Sequence, residues 1–142
     1  VKRVNFGRLR MSLSVAQFNE NKFKISSAAM PPTYYFSARN NNIEEILVPN
    51  LPLGGIESEK FDGVEKDFHP GDVMVMISDG LPELPNKGND LLDYPLVFSC
   101  IKDNAKKSAG EIKDAWVELS DEWAEGLMNP DDITIVVIKK AA

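Results

Sequence analysis

Five consecutive apolar residues, Val73-Met74-Val75-Met76-Ile77, stand in a chain whose first half mostly alternates apolar with polar residues. A strand with one wet face alternates, whereas a strand without alternation has both faces covered. Turn chemistry bounds the run on both sides, His69-Pro70-Gly71-Asp72 before it and Ser78-Asp79-Gly80 after it. The run therefore predicts a central strand. Ile133 to Ile138 is nearly as apolar and is entered through the turn Asn129-Pro130-Asp131-Asp132. The same reasoning puts both strands in the interior.

The rest of the first half reads as antiparallel sheet. Leu9 to Phe18 carries Leu9, Met11, Leu13 and Val15 on one face and Arg10, Ser12 and Ser14 on the other. Asn19-Glu20-Asn21 supplies a turn, and Lys22 to Ala28 completes a hairpin. Met30-Pro31-Pro32 breaks the pattern, because proline has no amide to donate. Thr33 to Ser37 and Ile43 to Val48 follow as strands around Asn40-Asn41-Asn42. Leu51-Pro52-Leu53-Gly54-Gly55-Ile56 reads as a loop and Glu65 to Phe68 as a polar strand.

Pro82 to Lys107 reads as irregular, with a turn at Pro85-Asn86-Lys87-Gly88 and a short helix near Leu91. Ser108 and Glu111 then have capping-box spacing. Ile112, Ala115, Trp116, Leu119 and Trp123 recur every three or four residues, so one helix face is apolar and the other acidic. Both tryptophans are expected to anchor that helix on the sheet, and Gly126 is a fitting stop. Mostly antiparallel strands with one strong helix make a layered α+β domain.

A chain of 142 residues is long enough for one domain with its own core. The net charge is −6, with six acids between Glu111 and Glu125, and such a surface repels nucleic-acid phosphates. Cys100 is the single cysteine, which excludes an internal disulfide and fits a reducing cytoplasm. It is expected to be a buried apolar residue, and His69, the one histidine, a solvated turn residue. No segment is apolar and long enough to cross a bilayer, and no signal peptide opens the chain. The sequence starts at Val1 on a strand-like segment, as a piece of a larger protein would.

Chemistry can collect where carboxylates meet the two apolar strands. Asp79 follows the first and Asp131 precedes the second. If the strands are antiparallel neighbours, the two acids share one rim of the sheet; if parallel, they are about 20 Å apart. Converging carboxylates repel each other, and each costs several kcal/mol to desolvate without a partner. A hard divalent cation, Mg²⁺ or Mn²⁺, would resolve that conflict, and Gly80 would let backbone approach the ion or its waters. Ser-Asp-Gly and Asn-Pro-Asp-Asp are also ordinary loop chemistry, so the pair of motifs carries more than either alone.

Taken in order, several elements together resemble the type 2C (PPM) metal-dependent protein serine/threonine phosphatases. They are Leu51-Pro52-Leu53-Gly54, Pro70-Gly71-Asp72, Ser78-Asp79-Gly80-Leu81-Pro82-Glu83 and Asp131-Asp132-Ile133-Thr134. Ala28-Ala29-Met30-Pro31-Pro32 is similar to an element of the branch typified by the sporulation stage II protein E and the sigma-factor regulatory phosphatases. The resemblance runs from about Leu9 to Ile138.

That resemblance implies a two-layer antiparallel β-sandwich flanked by helices, with a two-metal site of Mg²⁺ or Mn²⁺ at one end. Metal-activated water would attack a phosphoserine or phosphothreonine. It matches Asp79 and Asp131 to metal ligands, with no catalytic side chain beyond them, and Asp132 to a residue supporting the ligands or the turn. It further implies a phosphorylated regulatory partner of the anti-sigma-factor antagonist type, and a sensor or receiver domain upstream. Residues 1–142 would be the C-terminal part of one phosphatase domain.

Two departures qualify the match. The family's earlier Asp-Gly motif, whose aspartate bridges both metals, has no counterpart before Leu9, so this chain alone is expected to bind metal weakly and hydrolyse little. Alanine and methionine occupy positions 29 and 30, where many relatives have glycine and histidine. A non-catalytic phosphatase-like module that binds a regulatory protein is the alternative, and a sandwich with a structural cation or none is a third. The Pro82 to Asn89 loop, next to Asp79, could border a substrate, and the acidic helix face could dock a partner.

Overall fold

Strand β6 (Val73–Ile77) lies between two others and is covered on both sides, as its unbroken apolar run requires. The structure, a computed structural model, describes residues 9–54 and 60–141. Gly55 and Ile56 of the predicted loop, and the strand-like opening before Leu9, lie outside the described residues.

The strands are β1 (Leu13–Phe18), β2 (Lys22–Ala28), β3 (Thr33–Ser37), β4 (Asn42–Ile46), β5 (Val64–Asp67), β6 and β7 (Ile135–Lys139). They form two antiparallel sheets, one ordered β1-β2-β5 and the other β4-β3-β6-β7. Helices α1 (Asp93–Asn104) and α2 (Ala109–Ala124) pack on the second sheet. The predicted α+β sandwich is thus present, with the helices of the described residues on one of its outer faces.

Two apolar cores explain why β6 does not alternate. Val73, Val75 and Ile77 point to the helices and join Tyr34, Val97, Ile101, Ile112 and Trp116. Met74, on the opposite face, packs with Tyr35, Phe23, Ile25 and Phe68 between the sheets. There Phe23 meets Tyr35 and Phe68 at centroid separations of 5.3 Å and 5.7 Å, in the edge-on arrangement aromatic rings prefer.

Two expectations need correcting, and the structure adds which face of β1 points inward. Strand β7 is the edge of its sheet among the described strands, not an interior strand, and Val136 is 41% exposed. Its apolar residues reflect packing on both faces at one edge: Ile135 and Val137 meet the helix-side core, and Ile138 the inter-sheet core. The 82–107 stretch is not irregular throughout, because α1 occupies twelve of its residues. Pro95 is tolerated in its first turn, where the missing amide has no intrahelical partner to lose. On β1, Leu13 and Val15 face outward, while Ser14 and Ala16 turn inward and Ser14 bonds Ser27 at 2.8 Å.

Helix α2 begins as its sequence dictates. The Ser108 hydroxyl accepts from the Glu111 amide at 3.3 Å, and the Glu111 carboxylate accepts from the Ser108 amide at 2.9 Å. It ends in a left-handed Glu125 followed by Gly126 at φ +83°. Lys139, at the end of β7, donates to the carbonyls of Ala105, Lys106 and Lys107, at 3.1, 3.1 and 2.6 Å, just past the C-terminus of α1.

The start of β6 is fastened by Asp72, which is fully buried. Its carboxylate accepts from the Tyr35 hydroxyl at 2.9 Å, the Ala38 amide at 2.8 Å and the His69 amide at 2.8 Å. Three donors balance the cost of burying this acid. His69 is partly buried in that turn, with Nε2 3.9 Å from the Asp67 carboxylate. Cys100 is half-buried against the helix-side core, and burial, aided by Asp103, pushes its thiol up to about 11.

Candidate metal centre

Strands β6 and β7 are antiparallel neighbours, with Ile77 opposite Ile135. The end of one therefore adjoins the start of the other, and the Ser78-Asp79-Gly80 turn meets the Asp131-Asp132 turn on one rim.

Ser78 alone makes three hydrogen bonds across this junction. The Ser78 amide donates to the Thr134 carbonyl at 2.9 Å, extending the ladder past its last pair. The Ser78 hydroxyl accepts from the Thr134 amide at 2.8 Å and donates to the Asp132 carbonyl at 3.1 Å. Gly80 is buried against the other turn: a Cβ there would lie 2.5 Å from the Asp132 carbonyl oxygen and 3.5 Å from the Asp131 carbonyl carbon. The close approach that Gly80 allows is thus to the neighbouring backbone.

Asp79, Asp131 and Asp132 are exposed. One Asp131 carboxylate oxygen accepts from the Asp132 amide at 2.8 Å, which fixes that side chain against its own turn. No basic side chain among the described residues forms an ion pair with any of the three. Oxygen donors without cationic partners suit a hard divalent ion, which often takes one or two carboxylates and keeps several waters. They fit such an ion in kind but do not complete a cage, since among the described residues no three His, Cys, Asp or Glu side chains gather to hold one.

The loop after Asp79 is tied to both helices. The Glu83 amide donates to the Asp79 carbonyl at 3.0 Å, and the Asp93 and Leu92 amides donate to Pro82 and Leu84 at 2.8 Å and 2.9 Å. Trp123 on α2 donates its indole N–H to the Leu84 carbonyl at 3.0 Å, so this tryptophan holds the loop as well as the helix. Tyr94, partly buried at the start of α1, has its phenol raised by burial and then by the carboxylates of Glu83, Asp79 and Asp93. Neither Trp123 nor Tyr94 was expected beside this rim. Only spacing within the chain marks such residues in a sequence, and these contacts cross between elements.

Ala29 has φ +49°, in the left-handed region that glycine adopts without steric cost. Alanine at this position carries a backbone penalty that glycine would not.

A family model described as Stage II sporulation protein E (SpoIIE) matches residues 8–141. The phosphoserine phosphatase RsbU of Bacillus subtilis (strain 168) is 26% identical over 136 residues, covering 92% of this chain and 39% of RsbU. Among solved structures, the SiaA-PP2C domain of Pseudomonas aeruginosa superimposes with a TM-score of 0.73 at 17% identity, over 84% of this chain and 46% of that one. The manganese-presoaked phosphatase domain of the cell fate determinant SpoIIE from Bacillus subtilis gives 0.69 at 18% identity, over 92% and 56%. This chain therefore spans less than half of RsbU and about half of each solved domain.

Proposed function

This chain belongs to the stage II sporulation protein E (SpoIIE) family, and we propose that it is the C-terminal part of a metal-dependent protein serine/threonine phosphatase domain. In this reading Asp79 and Asp131 are metal ligands, while Gly80 and Asp132 keep their turns in place. The observation that carries it is the joining of two acid-bearing turns, far apart in sequence, through Ser78 and the close seating of Gly80.

Mg²⁺ or Mn²⁺, when bound, would supply Lewis acidity and activated water for phosphoester hydrolysis. The chain's own part is positional. Ser78 aligns the two turns, the Asp132 amide orients the Asp131 carboxylate, and the bonds to Pro82 and Leu84 hold the wall beside Asp79. Manganese is supported by the soaked SpoIIE domain, and a phosphoserine substrate by the name of RsbU. We place the protein in cytoplasmic signalling, with a phosphorylated anti-sigma-factor antagonist type of substrate and a sensor or receiver domain upstream. The lone half-buried thiol suits that compartment.

The test is hydrolysis of a phosphoserine peptide by the full-length protein with Mn²⁺, native against Asp79→Asn. A loss of at least about 100-fold is expected when a metal ligand is replaced. Equal activity would remove Asp79 from the chemistry. A second reading is a non-catalytic module that binds a regulatory protein. It predicts no metal-dependent hydrolysis by the native full-length protein.

A further inference from the structure

We infer that Asn129 is a positioning residue of the candidate metal centre, a clamp that sets the Asp79 turn and the Asp131 turn at a fixed separation. The inference rests on the proposed assignment of Asp79 and Asp131 as ligands. The Asn129 amide nitrogen donates to the Gly80 carbonyl at 3.3 Å, and its side-chain oxygen accepts from the Asp131 amide at 3.4 Å. One carboxamide thus has a bond to each turn, bridging a gap of 49 residues in sequence.

Its place complements that of Ser78. Ser78 joins the turns on the strand side, through Thr134 and Asp132, while Asn129 joins them on the loop side, through Gly80 and Asp131. Gly80 lies between the two clasps, against the Asp132 carbonyl. Both Asn129 bonds are long, so neither is strong alone. Their leverage is geometric: they act on the main chain beside each carboxylate. Asn129 is partly buried, which limits competition from water, and it precedes Pro130, which restricts its backbone to extended conformations. A carboxamide, with donor and acceptor on one planar group, suits the two-sided contact.

The alternative is that Asn129 only finishes the α2–β7 connection. Mn²⁺ titration by calorimetry separates the two, using the full-length protein and its Asn129→Ala, Asn129→Ser, Asn129→Gln and Asp79→Asn variants. Loss of the clamp is expected to weaken Mn²⁺ binding about 10-fold in Asn129→Ala and Asn129→Ser, the scale seen when a ligand's supporting partner is removed. The Mn²⁺ concentration for half-maximal activity should rise in parallel, with kcat at saturating Mn²⁺ kept within about 2-fold and part of the affinity restored by Gln. Ser, which keeps polar turn chemistry, decides the matter if Ala does not fold. Native affinity in a folded Ala or Ser variant overturns the clamp, provided Asp79→Asn weakens binding. If Asp79→Asn binds as the native protein does, the ligand assignment fails, and the clamp with it.

Discussion

Gly80 and Asp132 are in contact so close that no other residue fits at position 80: a Cβ there would stand 2.5 Å from the Asp132 carbonyl oxygen. The obstacle is backbone, so no side-chain rotation relieves it. Gly80→Ala must therefore part the two turns. It is expected to cost about 1–3 kcal/mol in urea denaturation, as overpacking of a tight site does, and to weaken Mn²⁺ binding in calorimetry. A variant with native stability and native binding would show that the turns can separate freely.

Lys139 tests the support of the helical layer. Its ammonium group lies against three carbonyls beyond the end of α1, where the helix dipole favours positive charge. Lys139→Met keeps the apolar stem and removes the donors. Stability is expected to fall by about 1–2 kcal/mol, read as a lower urea midpoint. An unchanged midpoint would make the contact incidental.

The buried phenol of Tyr35 predicts an alkaline limit. Burial, then its bond to Asp72, pushes Tyr35 up to about 12, and Tyr34 and Tyr94 are raised by burial as well. An unfolded tyrosine loses its proton near pH 10. The stabilisation is therefore whole below pH 10 and is lost as the pH climbs towards 12, because only the unfolded chain is ionised in that interval. Urea midpoints measured from pH 9 to 12 should fall, and fall less steeply in Tyr35→Phe. Parallel curves for the two proteins would remove Tyr35 from the effect.

Much of this molecule is legible in the sequence because short-range physics dominates there. The run Val73 to Ile77 announces a doubly covered strand, and Ser108 with Glu111 announces the start of α2. Asp79, Gly80, Asp131 and Asp132 stand out because they interrupt apolar strands. What escapes notice depends on tertiary neighbours. Alternation along β1 separates its faces, but the inward one proves to carry Ser14 and Ala16 because Ser27 and Ile25 of β2 lie opposite them. Helix α1 is masked by Pro95 and by apolar residues such as Leu96 that remain exposed. Asn129 reads as turn filler, since its partner Gly80 is 49 positions away.

Asp72 at one end of β6 and Ser78 at the other have a joint effect on alignment. A strand pinned at a single end could slide against its neighbours, and a shift of one position would present Ser78 or Gly80 at the rim in place of Asp79. It would also turn Met74 towards the helices and Val75 towards the opposing sheet. With both ends tied, that slippage requires breaking a buried carboxylate lock on the rim opposite the acids. The accuracy with which Asp79 is delivered thus depends in part on a turn a full strand length away, so damage there would look, in an assay, like damage to the site itself.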